Sequence, residues 1–344
     1  RTGHHGAHRE VEVITARSPA PFAVVEASQV GEARRQILAL AVAAGLGAAE
    51  QGKLALVINE LGTNLIKHGG GGQMIARALE GPPAVELLAL DRGDGMASVA
   101  EAFRDGYSTA GSAGTGLGAV ERLATRVDVY SSRPGGTVIR ALVGVDSAGG
   151  PLEIGAVTVA KAGEEVCGDA WAVAAEQECP AVMVVDGLGH GLGAADAARL
   201  ATRAFDEEAH LPPAALVGAI HGALRGSRGA AVSVARIDRA REVVTYAGLG
   251  NVAGVVSSGG DSRHLVSTNG TAGHDRGRIH EFTYPWPADA LLVMHSDGLG
   301  SRWQLERYPG LAARHPALVA GVLYRDWSRG RDDVTVVAAR LRRP

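Results

Sequence analysis

Cysteine is scarce: Cys167 and Cys179 are the only two in 344 residues. Two thiols cannot build a disulfide framework or a four-ligand zinc site, so both are expected to be packing residues in a reducing cytoplasm. Aromatic residues supply only 4% of the chain against 48 glycines, which points to a core of small side chains. An excess of one charge is missing as well. Lys and Arg total 34 against 37 Asp and Glu, a formal net charge of −3. That balance leaves no electrostatic footprint for nucleic acid or an anionic membrane. No apolar run reaches the roughly 18–20 residues that cross a bilayer, because Gly, Asn or a charge interrupts each one. The opening residues, RTGHHGAHRE, contain neither an initiator Met nor the apolar stretch of a secretion signal. Residues 1–18 are therefore expected to be a tail or cloning remnant, although HHGAH could hold a metal.

What is present, 46% hydrophobic and 21% charged residues, is enough for two globular domains, each with its own core. A short run of small residues, Val145 to Leu152 (VDSAGGPL), reads as a linker between domains at 19–144 and 153–344. No internal repeat relates the halves. In the first, Pro19 to Ser28 reads as a strand and Glu32 to Leu46 as a helix. The helix Ala49 to His68 is more informative. Leu54, Ile58, Leu61 and Leu65 make one core-facing stripe, and Glu60, Asn64 and Lys67 lie on the stripe beside it. A carboxylate and a carboxamide one turn apart can hold a divalent ion and a hydroxyl between helix and ligand.

Strands follow at Met74–Leu79 and Val85–Leu90, the second delivering Asp91 into a turn with Gly93 and Gly95. Gly114 to Val127 (GTGLGAVERLATRV) is a glycine-rich loop opening a helix. Val127–Ser131 and Val138–Val143, around Pro134 to Thr137, read as a hairpin. Gly114, Gly116 and Ala119 fit the dinucleotide-binding fingerprint, but that motif requires a strand directly before its first glycine. Asp105 to Ala113 is polar and turn-forming, so the fingerprint is rejected.

The order of these motifs, E-x-x-x-N on a helix, D-x-G-x-G after a strand, G-x-G-x-G into a helix, then Gly-Thr on a closing strand, resembles the GHKL ATPase fold of gyrase, Hsp90 and histidine kinases. More closely it resembles the compact anti-sigma serine kinases of bacterial partner-switching systems, over about Pro21 to Val145. The resemblance implies that Glu60 is the catalytic base and that Asn64 binds Mg²⁺ bridging the phosphates of ATP. It also implies that Asp91 accepts from the adenine amino group, with Gly93 and Gly95 shaping the pocket and Thr137 beside the base. Gly114, Gly116 and Gly118 would cradle phosphates at a helix start, where free N–H groups favour anions. Phosphoryl transfer needs positioning more than covalent help, and a Glu beside the γ-phosphate can take a serine proton. The short stretch between DRGDG and GTGLG, without a phosphoacceptor-His box, points to serine or threonine as the acceptor. Lys67 and His68 are read as structural, or as phosphate or lid contacts.

In the second half strands outnumber helices. Strands are expected at Ile154–Ala160, Trp171–Ala175, Ala181–Val185, Ala230–Ile237, Val243–Ala247, Val252–Ser257, Ala290–His295 and Val334–Leu341. Helices are expected at Ala194–Ala209, Pro213–Leu224 and Pro316–Trp327, and an irregular stretch at Gly259 to Arg278. The apolar run Ala181–Val185 ends on Asp186 and a glycine-rich turn, GLGHGLG, the mark of a buried strand carrying a carboxylate to its tip. Asp169, Asp297 and Asp332 stand at other strand ends. Singly each is a turn residue. In this order they resemble the metal-dependent PP2C phosphatases, nearest the branch of the sporulation stage II E and stressosome feedback phosphatases, over about Leu152 to Arg342.

That resemblance implies two Mn²⁺ or Mg²⁺ ions bridged by Asp186. Asp297 and Asp332 would complete one shell, and Asp169 with the Gly187 carbonyl would hold the other ion. All-oxygen ligation suits Mg or Mn rather than zinc, and such a pair activates a water against phosphorus. Asp333 reads as a turn or supporting residue. His190 reads as a supporting hydrogen-bond donor or a donor to the leaving oxygen. No Arg precedes Asp169 where eukaryotic relatives bind phosphate.

The fold expected is thus α/β (α+β): a GHKL-type α/β sandwich, then a PP2C-like αββα sandwich. The resemblances together imply a bifunctional cytoplasmic regulator. It would phosphorylate, and remove phosphate from, a serine or threonine on a STAS-domain anti-sigma-antagonist or stressosome-type protein, with a homodimer allowed. The alternative is a phosphatase regulated by an ATP-sensing, partner-binding module that transfers no phosphate.

Overall fold

The structure, a computed structural model, describes residues 13–14, 21–79, 81–103, 116–146, 150–275 and 277–342. Its first elements are β1 (Val13–Ile14), β2 (Phe22–Val24), α1 (Ala27–Ala43), α2 (Ala48–Gly69), β3 (Gly72–Leu79), β4 (Ala84–Asp91), α3 (Val99–Ala102), α4 (Gly116–Leu123), β5 (Arg126–Ser132) and β6 (Gly136–Gly144). Glu26 and Gln29 exchange capping bonds at the start of α1, satisfying N–H groups the helix cannot. The stripe Leu54, Ile58, Leu61 and Leu65 is buried along α2, which ends at Gly70 in the left-handed region, φ 66°.

Strands β2 to β6 form an antiparallel sheet in the order β2-β3-β4-β6-β5. Because side chains alternate across a strand, the sheet has two distinct faces. Met74, Ala76, Val85, Leu87, Ala89, Ile139 and Ala141 pack with α1 and α2. Ile75, Leu88, Leu90 and Val138 join a second core on the other side. Burial on both faces is why β4 reads as a nearly unbroken apolar run.

The remaining elements are β7 (Leu152–Val159), β8 (Asp169–Ala174), β9 (Ala181–Gly187), α5 (Leu192–Glu208), α6 (Pro213–Ala223), β10 (Ala230–Asp238), β11 (Val243–Leu249), β12 (Ala253–Ser258), β13 (Asp261–Leu265), β14 (Phe282–Pro285), β15 (Leu291–His295), α7 (Pro316–Trp327) and β16 (Val334–Leu341), with short 3-10 turns before α7. They build two sheets, β1-β8-β9-β10-β11-β14 and β13-β12-β15-β16-β7. Trp171, Val184, Tyr246, Leu292 and Val337 share a core that draws on both sheets. Helices α5 and α6 cover the first sheet through Ala197, Ala201, Phe205 and Leu216.

Helix α7 covers the second sheet and is itself covered by the outer face of β3–β6. Its Leu318, Val322 and Leu323 share one core with Val157 and Val336 below and with Leu88, Leu90 and Val138 above. The approach is close: a Cβ on Gly155 would lie 1.9 Å from the Ala317 nitrogen. The far end of this contact is ionic. Buried Glu86 accepts from Arg77 and from Arg140, each at 2.6 Å, and Arg77 lies 5.5 Å from the Trp171 ring centre. Burial acts to raise the Glu86 pKa, but the two guanidiniums outweigh it and hold it at about 2. At the start of α7, His315 Nδ1 accepts from Ala317 N at 3.1 Å. Burial and the Arg140 charge push this imidazole down to about 3, keeping its accepting lone pair.

Three strands lie where none was expected. β1 falls in the presumed tail and pairs with β8; an edge of two residues carries no periodicity to read. β13 is the exposed hairpin partner of β12, and β14 is a largely exposed four-residue edge strand on β11, so neither shows a buried alternation to read. The HHGAH histidines lie outside the described residues.

Candidate active sites

A cavity of about 390 Å³ opens beside α2 in the first domain, lined by Asn64, Lys67, His68, Asp91, Gly95 and Thr137 among others. Strand β4 delivers Asp91 to the cavity. Its Oδ1 accepts two hydrogen bonds, from Gly93 N at 2.9 Å and Thr137 N at 3.1 Å. Burial raises the Asp91 pKa, and these two amides oppose the rise. A Cβ on Gly93 would stand 2.6 Å from the His68 carbonyl oxygen, and one on Gly95 2.2 Å from that of Ser132. Both turns therefore demand glycine. Thr137 shares a 3.0 Å hydrogen bond with Ser131, whose Oγ also accepts from Met96 N.

Gly116 opens α4 and lines the cavity. Gly118 is buried within that helix, and Gly114, like the polar stretch before it, lies outside the described residues. Glu60, one turn before Asn64, is half-buried and is not among the described cavity-lining residues. Lys67 and His68 stand on the wall, where their place in the last turn of α2 puts them.

The second site gathers acids at strand tips. Asp169 and Asp186 face each other across the β8–β9 ladder. Asp297 N points at Asp186 Oδ2 over 3.5 Å, and Asn251, which no motif singles out, donates to Asp297 Oδ2 at 2.8 Å. Asp332 Oδ1 accepts from Asp333 N at 3.0 Å. Asp333 is buried and accepts from Lys161 N at 2.8 Å and Gly168 N at 2.9 Å. It ties the turn before β8 to the tip before β16, a supporting part. Gly187 N donates to Gly168 O at 3.0 Å, and a Cβ there would meet Ala194 O at 2.4 Å.

The electrostatics of this cluster are unfavourable as it stands. Burial first, then the charges of Asp297, Asp332 and Asp333, push Asp186 up to about 7. Burial and Asp186 raise Asp169 strongly, and its Oδ2 is a buried atom with no hydrogen-bond partner among the described residues. An orphaned carboxylate oxygen among mutually repelling acids fits a hard divalent cation with oxygen ligands. Among the described residues, no three His, Cys, Asp or Glu are drawn closely enough together to hold one ion by themselves. At the rim, His190 Nδ1 pairs with Glu164 Oε1 at 2.5 Å. Cys167 and Cys179 are both free. Burial raises both thiols, that of Cys167 further through Asp169, so neither is a ready nucleophile.

Helix α7 runs between the two sites. Near its end, buried Arg325 donates through Nη1 to the Asp91 carbonyl oxygen at 3.1 Å, and Arg92 donates to the Arg325 carbonyl. Just beyond, Gly300 N bonds Trp327 O at 2.8 Å and Arg329 N bonds Gly298 O at 2.9 Å, adjoining Asp297. Among the described residues, no helix is long and apolar enough to cross a membrane.

Comparison with known proteins agrees with both halves. Residues 23–143 match the histidine kinase-like ATPase domain family, and residues 176–342 match the stage II sporulation protein E family. The serine/threonine-protein kinase RsbT of Bacillus subtilis is 31% identical over 100 residues, 28% of this chain and 75% of that protein. The phosphoserine phosphatase RsbX of the same organism is 24% identical over 140 residues, 40% of this chain and 70% of RsbX. A structure solved in work on the bacterial stressosome, a modular system adapted to control secondary messenger signalling, superposes with a TM-score of 0.51 at 29% identity. It covers 55% of this chain and 99% of its own. RsbX in complex with magnesium shares the fold, with a TM-score of 0.51 at 20% identity over 58% of this chain and 98% of its own.

Proposed function

Because the chain belongs to the histidine kinase-like ATPase family through its first domain and carries a PP2C-type phosphatase domain of the stage II sporulation protein E family in its second, we propose that it is a bifunctional regulator of a partner-switching pathway. The second domain removes phosphate from a phosphoserine or phosphothreonine of a STAS-type partner. The first binds ATP with Mg²⁺ and phosphorylates such a residue. The observation that carries the phosphatase reading is the facing Asp169–Asp186 pair, in which a buried Asp169 oxygen has no hydrogen-bond partner among the described residues. RsbT and RsbX, a kinase and a phosphatase resembling the two halves, support the pairing of activities.

In this reading Asp169, Asp186, Asp297, Asp332 and the Gly187 carbonyl hold two Mn²⁺ or Mg²⁺ ions. When bound, such ions supply an activated water and neutralise the phosphate. Asp186 would offer its carboxylate to such ions from the β9 tip, while Asn251 fixes the Asp297 carboxylate and Asp333 fixes the turn that presents Asp169. In the first domain Asp91 reads the base through a carboxylate held in place by two amides. Thr137 flanks the base, Asn64 holds Mg²⁺, and Gly116 and Gly118 hold phosphate at the head of α4. Glu60 takes the proton of the acceptor hydroxyl. The test is phosphate release from a phosphorylated STAS-type protein with and without Mn²⁺, alongside transfer of labelled γ-phosphate to the unphosphorylated protein. Metal-independent release, or none, would overturn the phosphatase reading.

A second reading, an ATP sensor that grips a partner and sets phosphatase activity without transferring phosphate, is favoured by one contact. Arg325 of α7 bonds the backbone of Asp91, the cavity acid, and α7 leads directly to the loop of Asp297. The two readings separate on protein carrying Asp186→Asn, with Glu60→Ala as control. Confirmed ATP binding without transfer to any partner selects the sensor.

A further inference from the structure

Loops 187–193 and 227–229 run side by side just past the tips of β9 and β10. In that ladder Asp186 faces Ala231 and Gly187 faces Ala230, and one residue further Leu188 N donates to Gly229 O at 2.9 Å. Arg228 is the next residue out. Its side chain lies over the glycine-rich loop that follows Asp186: a Cβ on Gly193 would stand 2.6 Å from its Nε, and one on Gly189 3.4 Å from its Nη1. The two glycines thus leave room for a flat guanidinium where any other residue at 193 would displace it.

This guanidinium is held but not used up. Nη1 donates to the His190 carbonyl at 3.3 Å, and the Arg228 backbone carbonyl is anchored by His274 Nε2 at 2.9 Å. Among the described residues no carboxylate pairs with Arg228, and the nearby acid Glu164 is engaged by His190. Arg228 is exposed, so most of its five donors face solvent over the loop that follows Asp186. A planar fork of open donors, fixed in orientation beside a phosphatase centre, suits the non-bridging oxygens of a phosphate monoester. The stretch from Leu152 to Gly168 contributes no arginine of its own.

We propose that Arg228 is the phosphate-recognising residue of the phosphatase site, binding the substrate phosphoryl group and the phosphate product. This rests on the phosphatase reading above. Arg228 binds and positions phosphate; the acids remain responsible for turnover.

The test uses the full chain loaded with Mg²⁺ and titrated calorimetrically with inorganic phosphate, with steady-state hydrolysis of an aryl phosphate measured in parallel. Arg228→Ala is expected to weaken phosphate affinity by about tenfold or more, the loss of a charged hydrogen-bonding fork. KM should rise by a similar factor while kcat stays within about threefold, and Arg228→Lys should fall between. Should the Ala variant melt early, Arg228→Gln keeps a stem over Gly193 without the charge and supplies the same comparison. Equal phosphate affinity in wild type and variants would overturn the assignment. So would a fall in kcat at constant KM and phosphate affinity. Failure of the wild type to hydrolyse the aryl phosphate with any divalent metal would count against the phosphatase reading, since phosphate binding is measured separately.

Discussion

The cavity beside α2 and the acid cluster lie at two ends of one connection and are built on opposite principles. In the cavity the carboxylate at the β4 tip, Asp91, already has two backbone amides on one oxygen. In the cluster, Asp169 and Asp186 face each other while Asp297, Asp332 and Asp333 add like charge. The first site is satisfied before its ligand arrives. The second is electrostatically strained by its own crowded acids. Ligand should therefore act mainly on occupancy at one site and on stability at the other.

The comparison breaks most completely at Asp186. Asp186→Asn should abolish metal-dependent phosphate release while leaving ATP affinity within about twofold, read by parallel hydrolysis and nucleotide-binding titrations. The same variant should melt higher than wild type at pH 8 without metal, because it removes a crowded buried charge. A lower melting point there would show that the acids are not strained.

Next in size is the ionic end of the interface. Glu86→Ala leaves Arg77 and Arg140 buried without their shared partner and should cost about 3–5 kcal/mol in denaturant unfolding. A change below about 1 kcal/mol would mean that water reaches the cluster.

Removing the carboxylate of the satisfied site has a more local effect. Asp91→Asn should weaken ATP binding by about 10–100-fold, the range of one lost charged hydrogen bond with its amides mispaired. Metal-dependent aryl phosphate release should be unchanged in the absence of nucleotide.

The smallest effect is a pH slope. The folded-state pKa of Asp186 lies near 7, above the ordinary 3.8. A raised acid leaves stability intact below its unfolded value and loses it as pH rises through the folded one. Metal-free protein should lose a few degrees of melting temperature between about pH 4 and 7, the span between the two values, and saturating Mn²⁺ should cancel the slope. ATP should not cancel it. A slope that persists in Mn²⁺ would place the titrating group elsewhere.

Much of this was legible residue by residue. The buried stripe of α2, the strand-tip positions of Asp91, Asp186 and Asp297, and the helix Pro316–Trp327 follow from periodicity and glycine turns, which are local properties. Asn251 was not legible, because its role depends on the β11–β12 turn folding over Asp297. Nor was the cause of β4's two-sided apolarity, since its second cover, α7, lies more than 200 residues away in the chain.

Sequence alone determined which residues are chemically able to act: one acid per strand tip, glycines where backbones must pass closely, an Asn one turn after a Glu. Those choices are set by local backbone geometry and side-chain chemistry. Only the tertiary structure decided which of them meet. Packing α7 between two sheets joined Arg325 to Asp91 and brought both domains into one core, because each sheet exposed an apolar face that neither could leave to water.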